Sequence, residues 1–299
     1  MNKEELRKFV LDNPKLVTMR PAGDGIYVLK YKRTVFYDNL WNEYLEECRG
    51  TIVDADFNLV TYPFTKIYNY GVEKNAPVFD NDDQMTAFRK VNGFMVAVTY
   101  HNNDVLVSTT GSTDSDFVGY AREMMLRHMP WADWQMAMSN DDMRGMTFMF
   151  ECVHPDDPHI IPEKEGMYVL GYRVNELGSR VGHDPCVLQD LSILFKCYKP
   201  ESVTSNMARI KQLAKECKHE GFVFYHNDGR AAKIKSPYYL VKKFVARNPR
   251  TDKLMRPDIK QSLDEEYYPL IDAIQADIVA YTALDEQARL AWVRKFLGA

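Results

Sequence analysis

Apolar residues recur along this chain in two rhythms. Leu6, Phe9 and Val10 fall at helical spacing and predict a short helix over 3–12. From about 26 to 70 the pattern turns strand-like, with β-branched and aromatic runs at 26–31, 51–53 and 59–62. Runs at 94–100 and 105–109 flank a short polar turn and predict a hairpin. A helix is expected over 119–129, strands over 147–153 and 167–174, and helices over 188–195 and 202–218. A second hairpin is predicted where 222–225 and 230–234 enclose His226-Asn227-Asp228-Gly229, a strong turn sequence.

The character changes after about 248. Residues 263–282 and 285–297 keep helical periodicity with few breakers, and Asn248-Pro249-Arg250 reads as a junction. The expected organisation is a main domain over 1–247 and a small α-helical module over 248–299. Antiparallel strand pairs with interspersed helices, and no regular βαβ alternation, predict an α+β fold.

Composition narrows the classes. The 299 residues are 45% hydrophobic and carry a formal net charge of -4. A nucleic-acid site must therefore be a local basic groove, not a whole-protein field. No apolar run reaches the roughly 20 residues needed to span a bilayer. The N-terminus lacks the apolar stretch of a signal peptide, so a cytoplasmic protein is the expectation. Five cysteines, at 48, 152, 186, 197 and 217, match neither a zinc site nor a disulfide framework and read as reduced packing residues.

Four short segments carry candidate chemistry. Lys90-Val91-Asn92-Gly93 places a lysine before a strand, with a glycine that permits close backbone approach; an exposed lysine in a turn is the plain alternative. In Phe148-Met149-Phe150-Glu151-Cys152-Val153 a carboxylate interrupts an apolar strand. It must find a polar pocket or partner, or else face water at a strand edge. Glu220-Gly221-Phe222 opens another strand, whose hairpin partner ends in Lys233-Ile234-Lys235. Strand periodicity puts both lysines on one face, either a solvated face or one that holds an anion such as a triphosphate. The segment His154-Pro155-Asp156-Asp157-Pro158-His159 reads as a loop, its spacing fitting no standard zinc pattern. In the stretch 238–244, Leu240, Val241 and Phe244 are expected to pack inward from a helix, leaving Lys242 and Lys243 in water.

Taken in order, Lys-x-Asn-Gly, a strand Glu, Glu-Gly-aromatic and Lys-x-Lys resemble motifs I, III, IV and V of the covalent nucleotidyltransferases, the superfamily of polynucleotide ligases and RNA capping enzymes. Two upstream blocks, Glu47-Cys48-Arg49-Gly50-Thr51-Ile52-Val53 and Tyr62-Pro63-Phe64-Thr65-Lys66-Ile67-Tyr68-Asn69, make the chain most similar to the phage RNA ligase 1 family. The resemblance covers roughly residues 40 to 245.

It implies a nucleotidyltransferase (ligase adenylation) domain of antiparallel sheets with flanking helices. It also implies ATP and Mg²⁺ (or Mn²⁺) as cofactors, and as substrate RNA with 5′-phosphate and 3′-OH ends, cleaved tRNA included. Lys90 would be the nucleophile that takes AMP, and Lys233 and Lys235 would hold phosphate charge and lower the basicity of Lys90. Arg49 and Lys66 would contact ATP phosphates, Glu151 the ribose hydroxyl, and Glu220 the metal. Gly93 and Gly221 would line the nucleotide site. Tyr172 is a candidate to stack on adenine, with a core tyrosine as its alternative.

Two positions depart from the family pattern: Asn92 stands where many members have Asp, although the related fungal tRNA ligases also use Lys-x-Asn-Gly, and Thr110 precedes Gly111-Ser112 where some phage members carry Lys. The rival readings are a DNA ligase or capping enzyme, disfavoured because the tail reads as helices and not as an OB-fold, and a non-catalytic RNA-binding protein that kept the fold.

Overall fold

The computed structural model describes residues 1–247 and 251–298. The expected junction at 248–250 lies outside the described residues. In chain order the strands are β1 (Val17–Pro21), β2 (Ile26–Tyr31), β3 (Arg49–Asp54), β4 (Leu59–Thr61), β5 (Tyr68–Asn69), β6 (Gln84–Arg89), β7 (Phe94–His101), β8 (Asp104–Thr109), β9 (Met146–Val153), β10 (Gly166–Val174), β11 (Ser202–Asn206), β12 (Gly221–His226) and β13 (Ala231–Lys235). They form three sheets, ordered β1-β2-β3-β4, β10-β9-β7-β8 and β11-β6-β12-β13-β5. All pairings are antiparallel except β13 with β5. The fold is α+β, with antiparallel sheets, flanking helices and helices at the C-terminal end.

Residue contacts divide the described chain into two units. The first comprises 1–66, 91–159 and 163–200; the second comprises 67–90, 160–162 and 201 onward.

The first unit contains the first two sheets. Its opening helix, Lys3–Asp12, starts in a capping box: Asn2 accepts from the Glu5 amide at 2.9 Å, and Glu5 accepts from the Asn2 amide at 2.7 Å. Its buried face is Leu6 and Val10. The β7–β8 hairpin turns through Asn102 and Asn103, both with positive φ, as a two-residue turn that follows strand twist requires. Between the strands at 26–31 and 51–53, two short helices, Arg33–Tyr37 and Glu43–Glu47, interrupt what reads as a continuous strand region. The helix expected over 119–129 runs Asp116–His128, and a further helix, Trp131–Met138, follows it. Trp134 stacks on Phe195 with ring centres 4.9 Å apart, joining this helix to the end of helix Pro185–Leu194.

A buried ion pair crosses this unit. Arg173 on β10 meets Glu47 at 3.0 Å, donates to the Pro63 carbonyl at 2.9 Å, and lies 3.4 Å from the centre of the Tyr62 ring. Arg173 is 3% exposed and Glu47 11%. It ties together the two sequence blocks upstream of Lys90.

The second unit is built on the third sheet. Met85, Ala87, Phe222, Phe224 and Ala232 pack under Met207, Ile210 and Ala214 of helix Met207–Glu216. One strand was not anticipated and one expectation needs correction. The segment before Lys90 is strand β6, which buries Met85, Ala87 and Phe88. Residues 202–206 are strand and not helix: β11 pairs only with β6, at the sheet edge, and its polar sequence suits that exposure. Asn206 then caps the following helix by accepting from the Arg209 amide at 2.9 Å.

The C-terminal helices close over Leu254, Tyr267, Leu270, Ile271 and Ile274, and Val241 and Phe244 of helix Pro237–Arg247 share that core. The helix expected over 263–282 is broken. A 3₁₀ turn, Glu265–Tyr267, leads into helix Tyr268–Ala276, and Asp277 ends it and caps helix Ile278–Ala283. The last helix, Glu286–Leu297, begins at an Asp285 cap and ends at Gly298 with φ +73°. No described helix is long and apolar enough to cross a membrane.

Removing one member of a buried pair strands the other charge. Glu47→Gln should therefore cost the first unit about 3–5 kcal/mol. Urea denaturation read by Trp fluorescence checks this; a midpoint equal to the parent's would show that the pair contributes nothing.

Candidate active site

In the second unit, the end of a ladder places three functional positions side by side. Arg89 pairs with Phe222 across β6 and β12, and the next amide, that of Lys90, donates to the Gly221 carbonyl at 2.8 Å. Gly221 pairs in turn with Lys235 on β13. Gly221 has φ +136°, and a Cβ there would stand 2.0 Å from the Ile234 carbonyl oxygen, so only glycine fits. Glu220 is fixed just before it: its carbonyl accepts from the Ser236 amide at 2.9 Å, while the Ser236 hydroxyl donates to the His219 carbonyl at 2.5 Å. The Glu220 carboxylate then meets the Lys90 ammonium at 2.9 Å. Lys90 is 23% exposed and Glu220 6%, so the pair sits at the edge of the protein interior.

Lys233 and Lys235 share a face of β13 by alternation, as expected. Lys233 pairs with Asn69 of β5, and its carbonyl accepts from the Tyr70 amide at 2.8 Å. The anion across Lys235 belongs to the chain itself: Glu266 lies at 2.7 Å and Asp264 at 3.3 Å. Burial opposes the charge on Lys235, but Glu266 and Asp264 outweigh it and hold its pKa above the ordinary lysine value. Lys243 also bonds Asp264, so it is not the solvated lysine expected; its side chain is 11% exposed. Burial alone would raise the Asp264 carboxyl, yet Lys235 and Lys243 bring it down to about 2.

In the first unit, Glu151 on β9 accepts from the Gly93 amide at 3.1 Å. At Gly93 a Cβ would stand 2.3 Å from the Cys152 carbonyl oxygen, so this close approach also excludes any side chain. Arg49 opens β3 as the cross-strand partner of Lys30. Lys66 is anchored through its amide to the Glu46 carbonyl at 2.9 Å, and its ammonium lies over the Trp41 ring at 4.6 Å and the Phe36 ring at 5.6 Å. Tyr172 pairs with Phe148, three residues from Glu151 on the same strand, so the pleat puts it on the opposite face. Its ring covers Gly182, where a Cβ would lie 2.2 Å from the ring. Tyr172 therefore behaves as the packing tyrosine, and the structure does not bring it together with Glu151.

The histidine-aspartate loop is held by local contacts. His154 bonds Glu123 at 3.2 Å and stacks on Tyr120, and His159 bonds Asp157 at 2.8 Å. Among the described residues no group of three or more His, Cys, Asp or Glu could hold a metal ion. All five cysteines are free, and burial pushes Cys48, Cys152 and Cys197 up to about 12.

A family model described as RNA ligase matches residues 47–239, well over half of the chain. The chain belongs to the RNA ligase family. A protein of Rhodothermus phage RM378 named RNA ligase is 22% identical to this family member over 188 residues, which are 52% of this chain and 42% of that protein. The chain thus matches less than half the length of that relative. An archaeal ATP-dependent RNA ligase superposes with a TM-score of 0.59 at 12% identity, covering 99% of this chain and 76% of its own. A protein of Aquifex aeolicus assigned as an ATP-dependent DNA ligase gives 0.59 at 15% identity, with the same coverages. These superpositions establish the ligase nucleotidyltransferase fold and leave the choice of polynucleotide open.

That Asp264 and Glu266 pair with Lys235 was not legible in the sequence: they lie about thirty residues beyond it, in an acidic run that reads as the start of a helix. Their effect has a defined pH signature. The Asp264 carboxyl titrates near 3.8 when unfolded and near 2 when folded, so it stabilises the fold fully above pH 4. The stability margin of the parent over Asp264→Asn should be constant from pH 7 to 5 and vanish as pH falls toward 2. Urea titrations at stepped pH check this; a margin that persists at pH 2 would remove the assignment.

Proposed function

We propose that this chain is an ATP-dependent RNA ligase that works through lysyl-AMP on Lys90 and an RNA-adenylate. The Lys90–Glu220 pair, set in register with Gly221 and Lys235, is the observation that carries the reading. The pair positions the Lys90 amine beside Gly221 of β12, whose cross-strand partner is Lys235, and a nearby cation favours the neutral amine that attack on phosphorus needs.

Lys90 gives up its ammonium proton to water, and its neutral Nζ attacks the α-phosphorus of ATP. The N–P bond forms as the bond to the bridging oxygen breaks, and pyrophosphate leaves with that electron pair. The AMP then passes to an oxygen of the RNA 5′-phosphate, Lys90 leaving as the amine. The 3′-hydroxyl of the other end attacks that phosphorus and expels AMP. Lys233 and Lys235 neutralise charge on the α-phosphate, Arg49 and Lys66 bind the remaining phosphates, and Glu151 accepts from the ribose hydroxyl.

Glu220 fits a Mg²⁺ or Mn²⁺ ion, because such ions are held by one or two carboxylates together with substrate phosphates and waters. When bound, the metal would supply charge neutralisation at the phosphates. The chain as a main domain over 1–247 with a helical module over 248–299 is part of the same proposal, as is broken tRNA as the RNA and the host cytoplasm as its place.

Incubation with α-labelled ATP and Mg²⁺, without RNA, should leave acid-labile label on the denatured protein. Pyrophosphate should strip it, Lys90→Ala should abolish it, and α-labelled GTP should not replace it. No label on folded protein that is not already adenylylated would sink the reading in favour of RNA binding alone. Joining of DNA 3′-ends in preference to RNA would move it to DNA ligation.

A further inference from the structure

Among the described residues, one group of cations in the first unit lies together without an acid: Arg20 and Lys30, which are exposed, and Arg49, which is half-buried. In the first unit, Lys30 and Arg49 are direct cross-strand partners. Arg20 pairs with Val28, two residues before Lys30, so all three cations stand on one face of β1–β2–β3. Among the described residues, no carboxylate forms an ion pair with Arg20, Lys30, Arg33 or Arg49. Burial, then the charges of Arg20, Arg49 and Arg33, lowers the pKa of Lys30. Cations crowded in this way call for an anion.

The space beside them is shaped for one. Arg20 and Lys30 line an open cavity of about 370 Å³ together with Thr109, Thr110, Gly111 and Ser112. Arg20 donates to the Gly111 carbonyl at 3.3 Å. The Lys30 ammonium sits 2.7 Å from where a Cβ on residue 111 would stand, so the missing side chain of Gly111 makes its room. Ser115, on the same wall, starts helix Asp116–His128 without a side-chain cap. Asp114, two residues beyond Ser112 in sequence, is engaged by the Ser112 hydroxyl at 2.6 Å. Where some family members have a lysine just before this Gly-Ser, the chain has Thr110, and Lys30 delivers an ammonium to the same glycine from a different strand.

We propose that Arg20 and Lys30 bind the β- and γ-phosphates of ATP, the two that leave as pyrophosphate, with Lys30 taking the place of a cation at 110. This rests on the adenylylation reading above. Two links favour ATP over the RNA backbone: Arg49, a proposed ATP contact, is the neighbour of Lys30, and Met95 of the cavity wall is the cross-strand partner of Glu151, the proposed ribose contact.

The test uses the full chain, with thermal melts showing that the variants fold. Lys30→Met should raise the KM for ATP in self-adenylylation, and the pyrophosphate concentration that half-reverses it, by about tenfold each, as loss of a charge-assisted phosphate contact does. Sealing of RNA that already carries a 5′-adenylate should stay within about twofold, since that step needs no pyrophosphate. Adding Thr110→Lys to Lys30→Met should recover most of the loss, which a merely structural lysine would not allow.

Unchanged adenylylation with weakened sealing would overturn the proposal and make this an RNA-backbone site. Equal loss in both steps, or none in either, would also overturn it. If the parent itself takes no label, the adenylylation reading has failed on its own. Calorimetric titration with inorganic pyrophosphate then decides the seat: binding weakened by Lys30→Met supports it, and absent or equal binding overturns it.

Discussion

Residue 221 has no room for a Cβ, and much of the candidate chemistry depends on that. The Ile234 carbonyl oxygen stands 2.0 Å from where the atom would be, so β12 and β13 approach as closely as two backbones can. That approach fixes the register in which Gly221 faces Lys235 and accepts from the Lys90 amide. It also fixes where Glu220 starts, because the Ser236 amide immediately after Lys235 bonds the Glu220 carbonyl. A side chain at 221 would displace the strand ends, and Glu220, Lys90 and Lys235 would lose their common frame. The glycine of Glu-Gly-aromatic is thus a geometric requirement of the carboxylate before it.

The basic residues fall into two groups that the sequence does not distinguish. Lys90, Lys235, Lys243 and Arg173 have acids within bonding distance, supplied by Glu220, by Glu266 and Asp264, and by Glu47. Arg20, Lys30 and Arg49 gather on one sheet face without any. Paired charges hold geometry, because breaking one leaves its partner buried and uncompensated. Unpaired, like-signed charges hold potential, which an arriving anion discharges. For a chain of net charge -4, that is how the polyanionic substrate proposed above would be met: by a local field that works within about 8 Å at physiological salt.

The ordered motifs made Lys90, Glu151, Glu220, Lys233 and Lys235 legible because each sits at a strand end or interrupts an apolar strand. The α+β class was legible from the two hairpins and the absence of βαβ alternation. Strand β6 was obscured because only Met85, Ala87 and Phe88 are buried in six residues. β11 was obscured because an edge strand buries too little to show a period. The placement of Tyr172 turned on a bulge between Val169 and Gly171, which shifts its register, and single-residue insertions leave no periodic trace. Lys30 and Arg20 read as ordinary polar positions on strands; only the pairing of β1, β2 and β3 shows that they share a face with Arg49.

With Lys90 as the nucleophile proposed above, its contact with Glu220 also constrains how that reaction would begin. A lysine in an ion pair is protonated, and a protonated amine has no lone pair for phosphorus. The same carboxylate that positions Lys90 must therefore release it before attack. A second demand on Glu220, from a cation arriving with the triphosphate, would loosen its hold as the substrate binds. In the proposed reaction Glu220 would then serve in turn as the anchor of the resting nucleophile and as a ligand of the reacting complex. That dual use would tie activation of Lys90 to the arrival of ATP.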